Sequence, residues 1–143
     1  MILLDGKSLT RDQVLAVALE EASIDVSPEA LERVDASAAY VQSLVNEGRR
    51  VYGVTTGFGP NAAVDLKDAE AAQHLQRNLI LSHAMAVGAP LSTAVVRAMM
   101  VLRINTLLRG HSGIRSQTVM ALVAMVNKGV HPIVPSKGSV GAS

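Results

Sequence analysis

Between Thr93 and Arg109 the sequence reads TAVVRAMMVLRINTLLR, apolar on most of the circumference of a helix. A helix of that kind has to be surrounded. Buried on most sides, its Arg97, Arg103 and Asn105 need partners, since stranding a buried charge costs about 3–5 kcal/mol. Those partners are expected from residues beyond this sequence or from other subunits. The same three residues cut the run well short of the ~20 apolar residues a membrane span needs, so a membrane-embedded chain is not expected. Composition says what can surround the helix: 49% of residues are hydrophobic, yet only 2% are aromatic (Tyr40, Tyr52 and Phe58). The core must then be Ala, Val, Leu, Ile and Met, the material of packed helices. At 143 residues the chain can bury one such core, and its high apolar content implies further partners to pack against. An all-α fold is predicted.

The remaining helices follow from caps and spacing. Thr10 with Gln13 three residues on is a capping box, and Val14, Leu15, Ala18, Leu19 and Ala22 recur on one face, giving a helix over roughly 11–22. Ser27 ahead of Pro28 and Glu29 opens a second helix, with Leu31, Val34, Ala38, Val41 and Val45 as its buried stripe and Gly48 as its stop. A third runs from Asp65 or Asp68 to about Val87, with Leu75, Leu79, Ser82 and His83 along one side and Gly88 ending it. Beyond the Thr93–Arg109 helix, stopped by Gly110, Ser116 is the expected N-cap of a last helix that buries Val119, Leu122, Val123 and Val126 and ends at Gly129. Ahead of all of these, Ile2-Leu3-Leu4 and Asp5-Gly6 form a short strand and turn. One helical domain over 1–143 is expected, without internal repeats or low-complexity segments.

Charge and special residues exclude several function classes. Thirteen basic and twelve acidic side chains give a net +1 with no basic cluster and no interleaved aromatics, so nucleic acid is not an expected partner. The absence of cysteine removes disulfides and thiolate metal sites. His74, His111 and His131 show no metal-ligand spacing and are read as structural, the methionines as core filler, and no metal is expected. Met1-Ile2-Leu3-Leu4-Asp5 lacks the pattern of a signal peptide, and a cytoplasmic location is expected.

Two stretches break the helical pattern. Tyr52-Gly-Val-Thr-Thr-Gly-Phe-Gly59, followed by Pro60, spends three glycines within seven residues, which suits either a surface excursion or a shaped binding loop. It is not a phosphate loop, because no Lys-Ser or Lys-Thr follows the glycines. Gly138-Ser-Val-Gly-Ala-Ser143 follows the proline-punctuated run Val130–Pro135, and its small residues permit close peptide approach, as a strained turn or an internal cyclisation requires. Taken alone, each reads as a loop.

Together these stretches, loops 51–60 and 136–143, resemble the two N-terminal signatures of the aromatic amino-acid ammonia-lyases, most closely the histidine-acting members, and the resemblance spans nearly the whole chain. It implies a helical fold with short strand and loop segments near an active site. It also implies the prosthetic group methylideneimidazolone, formed autocatalytically from Ala142, Ser143 and a following glycine, with no external cofactor. The sequence ends at Ser143, before that glycine, so the resemblance implies the N-terminal part of a longer enzyme. The implied assembly is a homotetramer with active sites shared between subunits, completed by the C-terminal part of the enzyme. The implied reaction is non-oxidative elimination of ammonia from L-histidine, giving trans-urocanate.

By the same resemblance, Tyr52 is the proton-abstracting base. Phenols ordinarily ionise near pH ~10, so a base of this type needs surroundings that favour the phenolate. Gly53 and Gly59 would let the backbone pass close to substrate and aim Tyr52, while Ser82 and His83 sit where the family reads the substrate ring. Three readings stay open: the histidine enzyme; a tyrosine or phenylalanine lyase or tyrosine aminomutase with the same prosthetic group; and a non-catalytic helical assembly homologue. Val140 and the Gly113-Ile114-Arg115 run favour the first.

Overall fold

Thr10 and Gln13 exchange side-chain and backbone hydrogen bonds as the spacing predicts, and helix α1 (Arg11–Leu19) starts there in the computed structural model, which describes residues 1–59, 63 and 69–138. The helix is shorter than predicted. The amides of Glu20 and Ala22 both return to the Ala16 carbonyl, and Glu21 takes a positive φ of 55°, which turns the chain out of the helix. The turn releases strand β2 (Ile24–Val26), which pairs in parallel with β1 (Ile2–Leu4) in the register Ile2↔Ile24, Leu3↔Asp25, Leu4↔Val26. Ile24 and Val26 point inward and Asp25 outward. Asn127 closes this pair from the far end of the chain: its amide nitrogen donates to the Ile24 carbonyl at 2.8 Å and its oxygen accepts the Ile24 amide at 2.9 Å.

Helix α2 (Pro28–Asn46) opens on Ser27, whose hydroxyl accepts the Ala30 amide, with Pro28 at the first position where its missing N–H is harmless. Its buried line is Ala30, Val34 and Leu44; Val45, predicted inside, is exposed. Helix α3 (Ala69–His83) ends before the predicted Val87, and its predicted start at Asp65 or Asp68 lies outside the described residues. Residues 86–90 instead form β3 (Ala86–Pro90), paired antiparallel with β4 (Pro135–Gly138). The register slips between Val87 and Pro90, and there Gly88 takes a φ of +96°. A Cβ at Gly88 would sit 2.8 Å from the Ser136 hydroxyl, so this glycine shapes a bulge and does not end a helix.

Helix α4 (Thr93–Leu107), capped by Ser92, is the centre of the core. Val96, Met100, Val101, Ile104 and Leu107, with Leu108, pack against Leu4, Val17, Ile24, Val26, Ala30 and Val34, and against Val119, Val123 and Val126 of α5 (Ser116–Asn127). Arg115, not Ser116, is the N-cap of α5, with no side-chain bond, because Ser116 is already helical. Two polar residues of α4 find their partners inside this chain, against expectation. The Asn105 side-chain oxygen accepts the Gly6 amide, and Arg97, 3% exposed, reaches backbone carbonyls and His131. Arg103 is exposed, as are Val95, Met99 and Leu102, so the broad apolar face of α4 is covered on one side only.

Candidate active site

The loop after α2 is folded on itself by its two threonines. Thr55 Oγ1 accepts the Val51 amide at 2.8 Å and donates to the Arg49 carbonyl at 2.7 Å, tying the loop entrance shut. Thr56, 2% exposed, donates to the Gly57 carbonyl and accepts the Gly53 amide at 3.3 Å. Between these ties stands Tyr52, 63% exposed. Its ring meets Phe58 edge to face, with centroids 6.0 Å apart and planes at 83°, and its hydroxyl accepts the Gly59 amide at 3.0 Å. Gly53 makes the arrangement possible: at φ +70° a Cβ would lie 2.7 Å from Phe58 Cε1. Tyr52, Gly53 and Gly59 thus form one unit, a shaped loop in which the amide holds the phenol oxygen and the ring stays open to solvent.

Ser82 and His83 form a second unit at the end of α3. Ser82 Oγ donates to the Leu79 carbonyl at 2.9 Å and lies 3.0 Å from His83 Nδ1, which is itself 2.8 Å from the same carbonyl. A carbonyl only accepts, so Nδ1 carries the imidazole proton and Nε2 the ring lone pair. Both residues are exposed in this chain. Just beyond them the Met85 amide returns to the His83 carbonyl, and Ala86 pairs with Gly138. The β3–β4 pairing therefore brings the end of α3 to the entrance of the second glycine-rich stretch. Ala142 and Ser143 themselves lie outside the described residues.

The residues fit methylideneimidazolone in their chemistry. Ala142 and Ser143 have the residue types that the resemblance implies for it, and in the sequence they follow β4, which is paired as far as Gly138. Sequence reasoning missed Phe58 as the ring that seats Tyr52 and Thr56 as the buried tie, although both lie inside the quoted motif. It missed β3 as well. Among the described residues no group of His, Asp or Glu is placed to hold a metal ion, and no helix is long and apolar enough to cross a membrane.

The family model described as aromatic amino acid lyase matches residues 9–143. The chain is 51% identical over 138 residues to the histidine ammonia-lyase of Symbiobacterium thermophilum, covering 96% of this chain and 27% of that enzyme. It is 48% identical to the histidine ammonia-lyase of Streptococcus pyogenes serotype M1 over all of this chain and 28% of that enzyme. Among solved structures, ergothionase from Treponema denticola, in complex with desmethyl-ergothioneine sulfonic acid, superposes with a TM-score of 0.90 at 32% identity, over 97% of this chain and 28% of that one. Histidine ammonia-lyase from Trypanosoma cruzi gives 0.87 at 39% identity, over 97% and 27%. The chain thus spans about a quarter of the length of its relatives. With the helical fold and the family match in agreement, this chain belongs to the aromatic amino acid lyases.

Proposed function

We propose that the chain is the N-terminal part of a histidine ammonia-lyase that eliminates ammonia from L-histidine to give trans-urocanate. The observation that carries this reading is the closed Tyr52 loop, in a chain 51% identical to a histidine ammonia-lyase over 96% of its length.

Elimination must break a carbon-bound hydrogen and a carbon–nitrogen bond. The Tyr52 oxygen takes the proton from the substrate's β-carbon, the electron pair left behind becomes the new double bond, and the amino group departs as ammonia. The Gly59 amide, donating to that oxygen, steadies it in either protonation state and sets its direction. When formed from Ala142, Ser143 and the next glycine, methylideneimidazolone supplies the electrophile that turns the substrate amine into a better leaving group. Ser82 and His83 are the residues assigned to the substrate ring; they share the Leu79 carbonyl at the end of α3, which fixes how the imidazole is turned. The enzyme is proposed to act in the cytoplasm as a homotetramer whose active sites are shared between subunits. The exposed Val95, Met99 and Leu102 of α4 support burial against further chain.

The test uses the full-length protein, with every residue encoded after Ser143. Urocanate formed from histidine, together with an intact mass reduced by the dehydration that makes the prosthetic group, is the expected result. Dehydrated protein that turns over tyrosine or phenylalanine instead would move the assignment to another branch of the family. Protein with no dehydration and no lyase activity would leave a helical assembly homologue.

A further inference from the structure

We propose that His131 is a positioning residue for β4, acting through the buried guanidinium of Arg97 and so setting the strand that leads into Ala142 and Ser143. Its consequence for the prosthetic group rests on the functional reading above. Arg97 Nε donates to the Val17 carbonyl at 2.7 Å, and Nη1 donates to the Val126 carbonyl at 3.1 Å and lies 3.1 Å from His131 Nε2. Among the described residues no carboxylate forms an ion pair with this buried cation. Its charge is met by carbonyls in the last turns of α1 and α5, where the aligned peptide dipoles concentrate negative charge.

A guanidinium has no acceptor atom, so the contact requires His131 Nε2 to accept and Nδ1 to carry the proton. The imidazole is thereby fixed on a point that α1, α4 and α5 define together, and the connector leaving α5 is fixed with it. From there the Leu91 amide donates to the Val134 carbonyl at 2.8 Å, and β4 pairs along β3 as far as Gly138. After the Val130 amide has bonded the Met125 carbonyl, His131 is thus the side-chain tie between the helical core and the connector that leads into the strand. Without an acceptor there, a buried Nη1 donor loses one of its partners and the connector loses its side-chain anchor.

The experiment compares His131→Leu with His131→Gln in the full-length protein. Leucine fills space without accepting, whereas the glutamine Oε1 can accept from Arg97. Hydrogen exchange of peptides spanning 131–138, the dehydrated fraction by intact mass, and kcat and KM are measured together. Expected for His131→Leu are exchange about ten- to a hundred-fold faster, a smaller dehydrated fraction and a lower kcat, with KM within about two-fold of wild type. Expected for His131→Gln is recovery of all of these. Should the leucine variant not fold, His131→Asn, whose acceptor is too short to reach, replaces it with the same expectations. Wild-type exchange in the variant that lacks an acceptor, or a glutamine variant no better than it, would overturn the proposal. If wild-type protein shows no dehydration, the functional reading fails while the exchange result still decides whether His131 positions the strand.

Discussion

The Tyr52 hydroxyl and ring do separable jobs, and this sets the first prediction. Tyr52→Phe keeps the edge contact with Phe58 and removes the oxygen that accepts the Gly59 amide. In the complete enzyme kcat should fall about 10²- to 10⁴-fold with the melting temperature nearly unchanged; near wild-type turnover would demote Tyr52 to packing. Gly53→Ala should do the opposite kind of damage. Its Cβ would collide with Phe58 at a backbone angle already unfavourable for alanine, whereas Gly48, at φ +63°, has nothing within 4 Å of the same position. Gly48→Ala should therefore show only the backbone penalty of about 1–2 kcal/mol in denaturant unfolding, and Gly53→Ala more than that together with a raised KM. At this scale the sequence was half readable. The glycine spacing around Tyr52 announces a shaped loop, but the need of Arg97 for partners does not say which partners. Its acceptors are backbone carbonyls at Val17 and Val126, and every residue has a carbonyl.

Elements with caps and long apolar periods were legible: α1, α2, α4 and α5 begin within a residue of their predicted starts. The strands after the first were not. Ile24–Val26 is too short to show a period, and Ala86–Pro90 contains a glycine and a proline, which usually argue against a strand. The β3–β4 pair changes how Ser82 and His83 are viewed, because it leads directly from His83 to Gly138. Replacing Ser82-His83 by Phe-Leu in the complete enzyme should lower kcat/KM for histidine about ten- to a hundred-fold and raise it relatively for phenylalanine, with the prosthetic mass still present. An unchanged preference, read by parallel assays on both substrates, would place selectivity outside α3.

For the molecule as a whole, apolar residues left uncovered on α3, on β3 and the link before it, and on α4, among them Ile80, Leu81, Met85, Val87, Met99 and Leu102, argue against independent stability. Residues 1–143 alone should aggregate or unfold without cooperativity; a monomer by ultracentrifugation with a sharp thermal transition would contradict this. A smaller global effect comes from Asp5. The Ser8 and Lys7 amides hold its carboxyl at about 2 from an ordinary 3.8. Because the folded value is the lower one, its contribution is present above pH ~3.8 and disappears as pH falls through ~2. Asp5→Asn in the complete enzyme should flatten the acid side of the denaturant-midpoint profile in that window. The Asn127 clip on Ile24 has a temporal meaning. At ribosomal speeds of about 5–20 residues per second, the strand that contains Ile24 waits about 5–20 s for the side chain that completes it. During that interval the first strands of the nascent chain lie open to chaperones and to neighbouring polysomal copies, so the order of synthesis is itself a hazard that this topology must survive.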